Sequence, residues 1–99
     1  MEVGDRSLIG RWEKLPGSDC DRAYPDTIEF FEATYLGAKG SGQAFIVWDA
    51  GTWQADARGS VRISTASDEL VRYEYSVSGD VLSFRDPAGC QFSYRRRRS

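Results

Sequence analysis

Two pairs of side chains have the types and spacing to carry chemistry: Trp48 with Trp53, and Tyr73 with Tyr75. The two tryptophans flank Asp49-Ala50-Gly51, which reads as a hairpin turn and puts both indoles near one rim. Indoles at a rim line a ligand mouth or anchor a partner, although ordinary core packing gives the same residue types. Tyr73 and Tyr75 are two residues apart, so on a strand they share a face. If that face is inward, their hydroxyls are polar handles in an apolar interior, or simply core tyrosines. A carboxylate beside such a tyrosine could do acid–base work, because burial raises a carboxyl pKa. Glu29 and Glu74, however, alternate with apolar residues and point outward, and Asp49, Asp68 and Asp80 sit where turns use aspartate. Asp19-x-Asp21 offers two carboxylates without the further ligands of a calcium loop. The chain has no histidine, which removes Ser-His-Asp and Cys-His nucleophiles, His-ligated metals and the usual neutral-pH switch. The expectation is a non-enzymatic protein with no catalytic residue, cofactor or metal, and a cofactor-free cyclase or isomerase is the minor alternative.

Cys20 and Cys90 fit neither a metal spacing nor a CxxC motif. The start, Met1-Glu2-Val3-Gly4-Asp5-Arg6, has no apolar run, and no stretch approaches the length of a membrane span. A cytoplasmic location with two reduced thiols is therefore expected, with a disulfide as the alternative. Thirteen Lys and Arg face fifteen Asp and Glu, a net charge of −2. Four of the positives are Arg95 to Arg98, which leaves nine against fifteen, or −6, over residues 1–94. An acidic body argues against a nucleic-acid face, and the arginine run reads as a solvated tail.

The elements that must position these residues are strands. Helical periodicity is absent, whereas period-two alternation recurs. Val71, Tyr73, Tyr75 and Val77 alternate with polar residues, Gly79-Asp80 turns the chain, and Leu82 and Phe84 alternate on the return. Asp86-Pro87-Ala88-Gly89 is a second turn, followed by Phe92 and Tyr94, which completes a three-strand antiparallel meander. Val61 to Thr65, Thr52 to Ala55, Thr27 to Glu32, Thr34 to Leu36 and Leu8 to Lys14 are further strands. The apolar run Ala44-Phe45-Ile46-Val47-Trp48 reads as one more. Eight or nine short strands fit 99 residues with no space for a long helix. Sequential hairpins favour an all-β, antiparallel up-and-down barrel over a sandwich.

Leu8-Ile9-Gly10-Arg11-Trp12 resembles the Gly-x-Trp opening of the calycin superfamily, which includes lipocalins, fatty-acid-binding proteins and avidins. The chain as a whole, over residues 8–95, resembles compact bacterial lipocalin-like domains of uncharacterised function. Pro25-Asp26-Thr27, Gly51-Thr52-Trp53 and Tyr73-x-Tyr75-x-x-x-Gly79-Asp80-x-Leu82-x-Phe84 carry that resemblance. It implies a barrel in which Gly10 and Trp12 close one end, with Arg95 packed over the Trp12 ring. The expected organisation is a barrel over 8–95, where the resemblance lies, with an extension over 1–7 and a basic tail over 96–99 on either side. The helices and lid of the larger families are missing.

Two binding readings follow. In one, a small apolar ligand enters the barrel mouth between Trp48, Trp53, Tyr73 and Tyr75. In the other, the barrel is solid and an outer patch of Phe31, Phe45 and Val47 makes a protein interface or a homodimer.

Overall fold

In a computed structural model, residues 6–16, 20–56 and 59–97 are described. A 3-10 turn over Arg6–Leu8 precedes eight strands. They are β1 (Gly10–Lys14), β2 (Thr27–Phe30), β3 (Thr34–Ala38), β4 (Ala50–Ala55), β5 (Ser60–Ser64), β6 (Leu70–Ser78), β7 (Val81–Arg85) and β8 (Gln91–Arg96). Each pairs antiparallel with its sequence neighbour, and β1 pairs with β8 to close an up-and-down barrel. The architecture is compatible with a lipocalin-like fold.

Alternation decides which side chains fill the barrel. In β6, Tyr73 is buried and Val71, Tyr75 and Val77 are partly buried, while Arg72, Glu74 and Ser76 are exposed. In β7 and β8, Leu82, Phe84, Phe92 and Tyr94 point inward. The β6–β7 hairpin turns on two residues, and Gly79 takes the positive φ its first central position needs.

Because the strands alternate in direction, the connections fall into two groups. The 3-10 turn and the β2–β3, β4–β5 and β6–β7 hairpins gather at one end, here called the closed end. The long β1–β2 and β3–β4 connections and the shorter β5–β6 and β7–β8 connections gather at the other end, the mouth.

The closed end is held by Trp12. Its ring is fully buried, and its Nε1–H donates to the Leu8 carbonyl at 2.9 Å. The arginine over it is Arg96, with its guanidinium carbon 4.2 Å from the ring centroid. The sequence expectation of Arg95 is off by one residue. Alternation explains the shift: Tyr94 and Arg96 share the inward face of β8, whereas Arg95 is exposed opposite Glu13. Arg96 also donates to the Ile9 carbonyl at 3.0 Å and the Ser7 carbonyl at 2.6 Å. A Cβ on Gly10 would sit 2.7 Å from an Arg96 nitrogen, so a glycine here lets the guanidinium through. Arg96→Ala is expected to cost about 2–3 kcal/mol, from the lost cation–π contact and two charge-assisted hydrogen bonds, and Arg95→Ala less than about 0.5 kcal/mol. Urea denaturation of the two variants checks this.

The basic tail of the sequence reading begins later than residue 96. Arg96 is the last residue of β8, and Arg97 pairs with Glu13 at 3.1 Å and donates its backbone N–H to the Arg11 carbonyl. Arg98, Asp19 and residues 1–5 lie outside the described residues.

Candidate functional site

The segment expected to be a ninth strand, Gln43 to Trp48, is not one. It belongs to the irregular connection between β3 and β4, and Asp49-Ala50-Gly51 leads into β4 instead of turning a hairpin. The run is apolar because it plugs the barrel. Ile46 and Trp48 are buried, while Phe45 just before them is 60% exposed. The β1–β2 connection adds Tyr24 to the same plug.

The plug is an aromatic cluster. Trp48 makes edge contacts with Tyr24 (centroids 4.7 Å), Tyr73 (5.0 Å) and Phe84 (5.0 Å), and lies 5.6 Å from Phe92. Tyr24 stacks on Phe92 at 4.0 Å. The polar edges are matched as well: Trp48 Nε1–H donates to the Tyr73 hydroxyl at 3.1 Å, and the Tyr24 hydroxyl donates to an Asp86 carboxylate oxygen at 2.8 Å. Such centroid separations are those of a packed core.

Several contacts fix the two long connections over the mouth. Lys14 Nζ donates to the Asp21 and Tyr24 carbonyls, both at 2.9 Å, and lies 3.4 Å from an Asp26 carboxylate oxygen. The Gln43 amide nitrogen donates to the carbonyls of Arg22 (3.0 Å) and Tyr24 (2.8 Å), and its oxygen accepts from the backbone N–H of Gly40 and Asp26. The Val47 N–H donates to the Ala23 carbonyl at 2.7 Å. Cys20 and Cys90 form a disulfide with Cα atoms 5.9 Å apart, tying the β1–β2 connection to the β7–β8 connection. This overturns the expectation of reduced thiols. Pairing of β1 with β8 makes the two connections neighbours.

The candidate site residues therefore part company. Trp48 and Tyr73 meet in the plug, and Tyr75 packs partly buried against the core. Trp53 does not join them at the mouth. Its Nε1–H reaches the carbonyls of Phe31 (2.9 Å) and Thr34 (3.0 Å), in the β2–β3 hairpin of the closed end. Phe31 and Phe45 are both exposed but belong to opposite ends of the barrel, and Val47 is half-buried against the core. The expected Phe31–Phe45–Val47 patch is thus not formed.

The phenols of Tyr24, Tyr35, Tyr73 and Tyr94 are all pushed above the ordinary tyrosine range, in each case mainly by burial. The Asp86 carboxylate that accepts the Tyr24 proton adds to the shift there. The sign follows from linkage. The folded state keeps these protons and the unfolded chain releases them near pH 10. Their contribution is whole below pH 10 and is lost as pH rises above it, at about 1.4 kcal/mol per pH unit for each phenol. Unfolding in alkali is therefore expected to be steep, with phenolate absorbance and loss of native circular dichroism rising together.

The outside of the wall has two characters. Around β1, β2 and β8 it is charged and paired: Arg11 with Glu29 at 3.3 Å, and Glu13 with Arg97. On β3 and β4 the outward residues are Thr34, Leu36, Ala38, Ala50, Thr52 and Gln54, all exposed and all uncharged. Leu36 is 54% exposed, and Phe31 (42%) borders the strip at the closed end, its N–H bonded to the Thr34 carbonyl. Among the described residues no group of three or more His, Cys, Asp or Glu is placed to hold a metal, and no helix is long and apolar enough to cross a membrane.

Comparison with protein-family models, with curated proteins and with solved structures finds no match to this chain.

Sequence reasoning missed Tyr24, Gln43 and Leu36. Tyr24 directly precedes Pro25, which could have marked the return of that loop to the barrel. Leu36 alternates with Tyr35 and so points outward by the rule used for the other strands.

Proposed function

We propose that this chain is a non-enzymatic, protein-binding module of calycin type, which works through the outside of its wall. The observation that carries the reading is the uncharged β3–β4 strip, in a chain of which 28% is charged. The occupant we assign to it is a second copy of the chain. Two acidic copies repel one another over most orientations, whereas the strip itself carries no charge to repel its copy, and Glu29, opposite Leu36 at its edge, is already paired with Arg11. A self-complementary patch is what a two-fold dimer uses. Strands of five and six residues give a strip about 17–20 Å long, small beside a standard interface of about 800 Å² per partner, so the dimer is weak and concentration-dependent.

The alternative of a small apolar ligand at the mouth finds less support, because Trp48 and Tyr73 already occupy one another and Trp53 is engaged at the far end. The Gly10-x-Trp12 opening with an arginine over the tryptophan supports the calycin reading. The disulfide supports an oxidising compartment in place of the cytoplasm.

Sedimentation velocity over a wide concentration range tests the reading. The weight-average mass is expected to rise from 11.1 kDa toward twice that value, and Leu36→Asp is expected to hold it at the monomer. A wild-type mass that stays monomeric at millimolar concentration removes the second copy as occupant.

A further inference from the structure

The outer face of β4, β5 and β6 carries one row that differs from the rest of the wall. In the register of the sheet Gln54 lies opposite Arg62, and Arg62 lies opposite Arg72. All three are exposed. Directly opposite residues on adjacent strands hold their Cβ atoms about 5 Å apart, and like charges placed so are destabilising. The charged wall on β1, β2 and β8 avoids this by pairing arginine with glutamate.

Arg72 is anchored. Its Nε–H donates to the Ser60 hydroxyl at 3.1 Å, one terminal nitrogen lies 3.4 Å from an Asp56 carboxylate oxygen, and Ser60 itself donates to Asp56. Ser60 is buried, so the anchor is fixed to the wall. Arg62 has no ion-pair partner among the described residues. Along β6 and β7 the next carboxylate, Glu74, is taken by Arg85. Among the described residues, Arg62, Arg72 and Arg85 thus face Asp56 and Glu74, one positive charge more than the carboxylates balance. The flanking row adds the hydroxyls of Thr52 and Ser64, the latter accepting from the Thr52 N–H at 2.9 Å.

We propose that the Gln54–Arg62–Arg72 row is a binding site for a tetrahedral oxyanion, phosphate or sulfate, either free or carried as an ester on a small molecule. A guanidinium offers parallel N–H donors that match two oxygens of such an anion; Arg62 can present that fork, Arg72 adds the N–H groups that Ser60 and Asp56 leave free, and the Gln54 amide on the next strand adds a further donor. The anion also relieves the Arg62–Arg72 repulsion, so binding and stability are coupled. The row shares Gln54 with the edge of the β3–β4 strip, while its two arginines lie beyond that strip on β5 and β6 and apart from the aromatic plug, so the test is made at a protein concentration low enough to keep the chain monomeric.

The test uses the oxidised full chain and inorganic phosphate, with sodium chloride at matched ionic strength as control. Two-dimensional NMR follows the arginine Nε–H signals, and thermal melts run in parallel. Phosphate is expected to shift the Arg62 and Arg72 signals saturably in the millimolar range and to raise the melting temperature above the chloride control. In Arg62→Gln the saturable shift at Arg72 is expected to weaken at least fivefold. That variant in chloride alone is expected to melt no lower than wild type, because a like-charge contact is gone. Phenyl phosphate, tested the same way, separates the sources: tighter binding than phosphate assigns the row to an ester, and equal or weaker binding assigns it to the free anion. Shifts that grow linearly without saturating, that chloride reproduces, or that survive unchanged in Arg62→Gln overturn the site. So does a response confined to Arg95 and Arg97.

Discussion

Replacing Cys20 and Cys90 together with serine is expected to lower the melting temperature by roughly 20 °C. The disulfide closes a loop with a sequence separation of 70, which in the chain-entropy account is worth about 4 kcal/mol. A domain of this size has about 5–15 kcal/mol of stability in total, and each kcal/mol moves the melting point by about 4–8 °C. The bridge also holds one of the two connections that stop the mouth, so its loss acts locally as well. Tyr24 keeps its hydrogen bond to Asp86 and its stack on Phe92, but both then depend on a connection free to swing at Cys20. Hydrogen exchange at the Tyr24 and Val47 amides, which bond to the Asp21 and Ala23 carbonyls, is expected to quicken more than exchange in β6 and β7. Thermal melts with and without reductant measure the first effect. A drop of only a few degrees would mean that the plug, and not the crosslink, carries the closure.

Trp48→Ala is the other large effect. The ring is fully buried, touches four aromatic neighbours and spends its one donor on Tyr73. Truncating a core tryptophan costs about 3–5 kcal/mol, part of it for the cavity left behind. That cavity would be lined by Tyr24, Tyr73, Phe84 and Phe92, and apolar cavities of this kind stay dry and accept small aromatic molecules. Indole is therefore expected to raise the melting temperature of Trp48→Ala in a saturable way and to leave the wild type unmoved. Stabilisation of the wild type by indole would instead show a space beside Trp48 and revive the ligand reading. Trp48→Phe is expected to be milder, since it keeps most of the packing and forfeits the hydrogen bond to Tyr73.

Much of the barrel is legible in the sequence because its information is local. The alternation of Val71, Tyr73, Tyr75 and Val77, the Gly79-Asp80 turn and the Phe92–Tyr94 pair need only period two and turn chemistry, and β6, β7 and β8 follow them. The failures share one cause, which is that a connection can be as apolar as a strand when it fills a hole. Phe45-Ile46-Val47-Trp48 has strand composition, but the neighbours of Trp48 in space are Tyr24, Tyr73 and Phe92, 24 or more residues away in the chain. The Cys20–Cys90 bridge was hidden for a similar reason. It depends on β1 meeting β8, which no local pattern encodes. Trp48 and Trp53 are close in sequence, yet β4 separates them, and their indoles serve opposite ends of the barrel. The Arg95 reading failed by a single residue, the smallest error that sends a strand side chain to the wrong face.

The closing seam has a consequence for how the molecule assembles. Seven of the eight strand ladders join sequence neighbours, so their contacts form at short range and early. The eighth, between β1 and β8, spans most of the chain and turns a rolled meander into a barrel. Trp12 and Arg96 are register partners on that seam, and among the described residues Trp12 is the only tryptophan whose ring is capped by a cation. Its fluorescence in a protein stripped of the other two indoles therefore times one event, the meeting of the two chain ends. In the oxidised chain Cys20 and Cys90 already hold those ends together, so closure becomes a short-range step and its rate should lose most of the dependence on chain length that a late, long-range contact imposes.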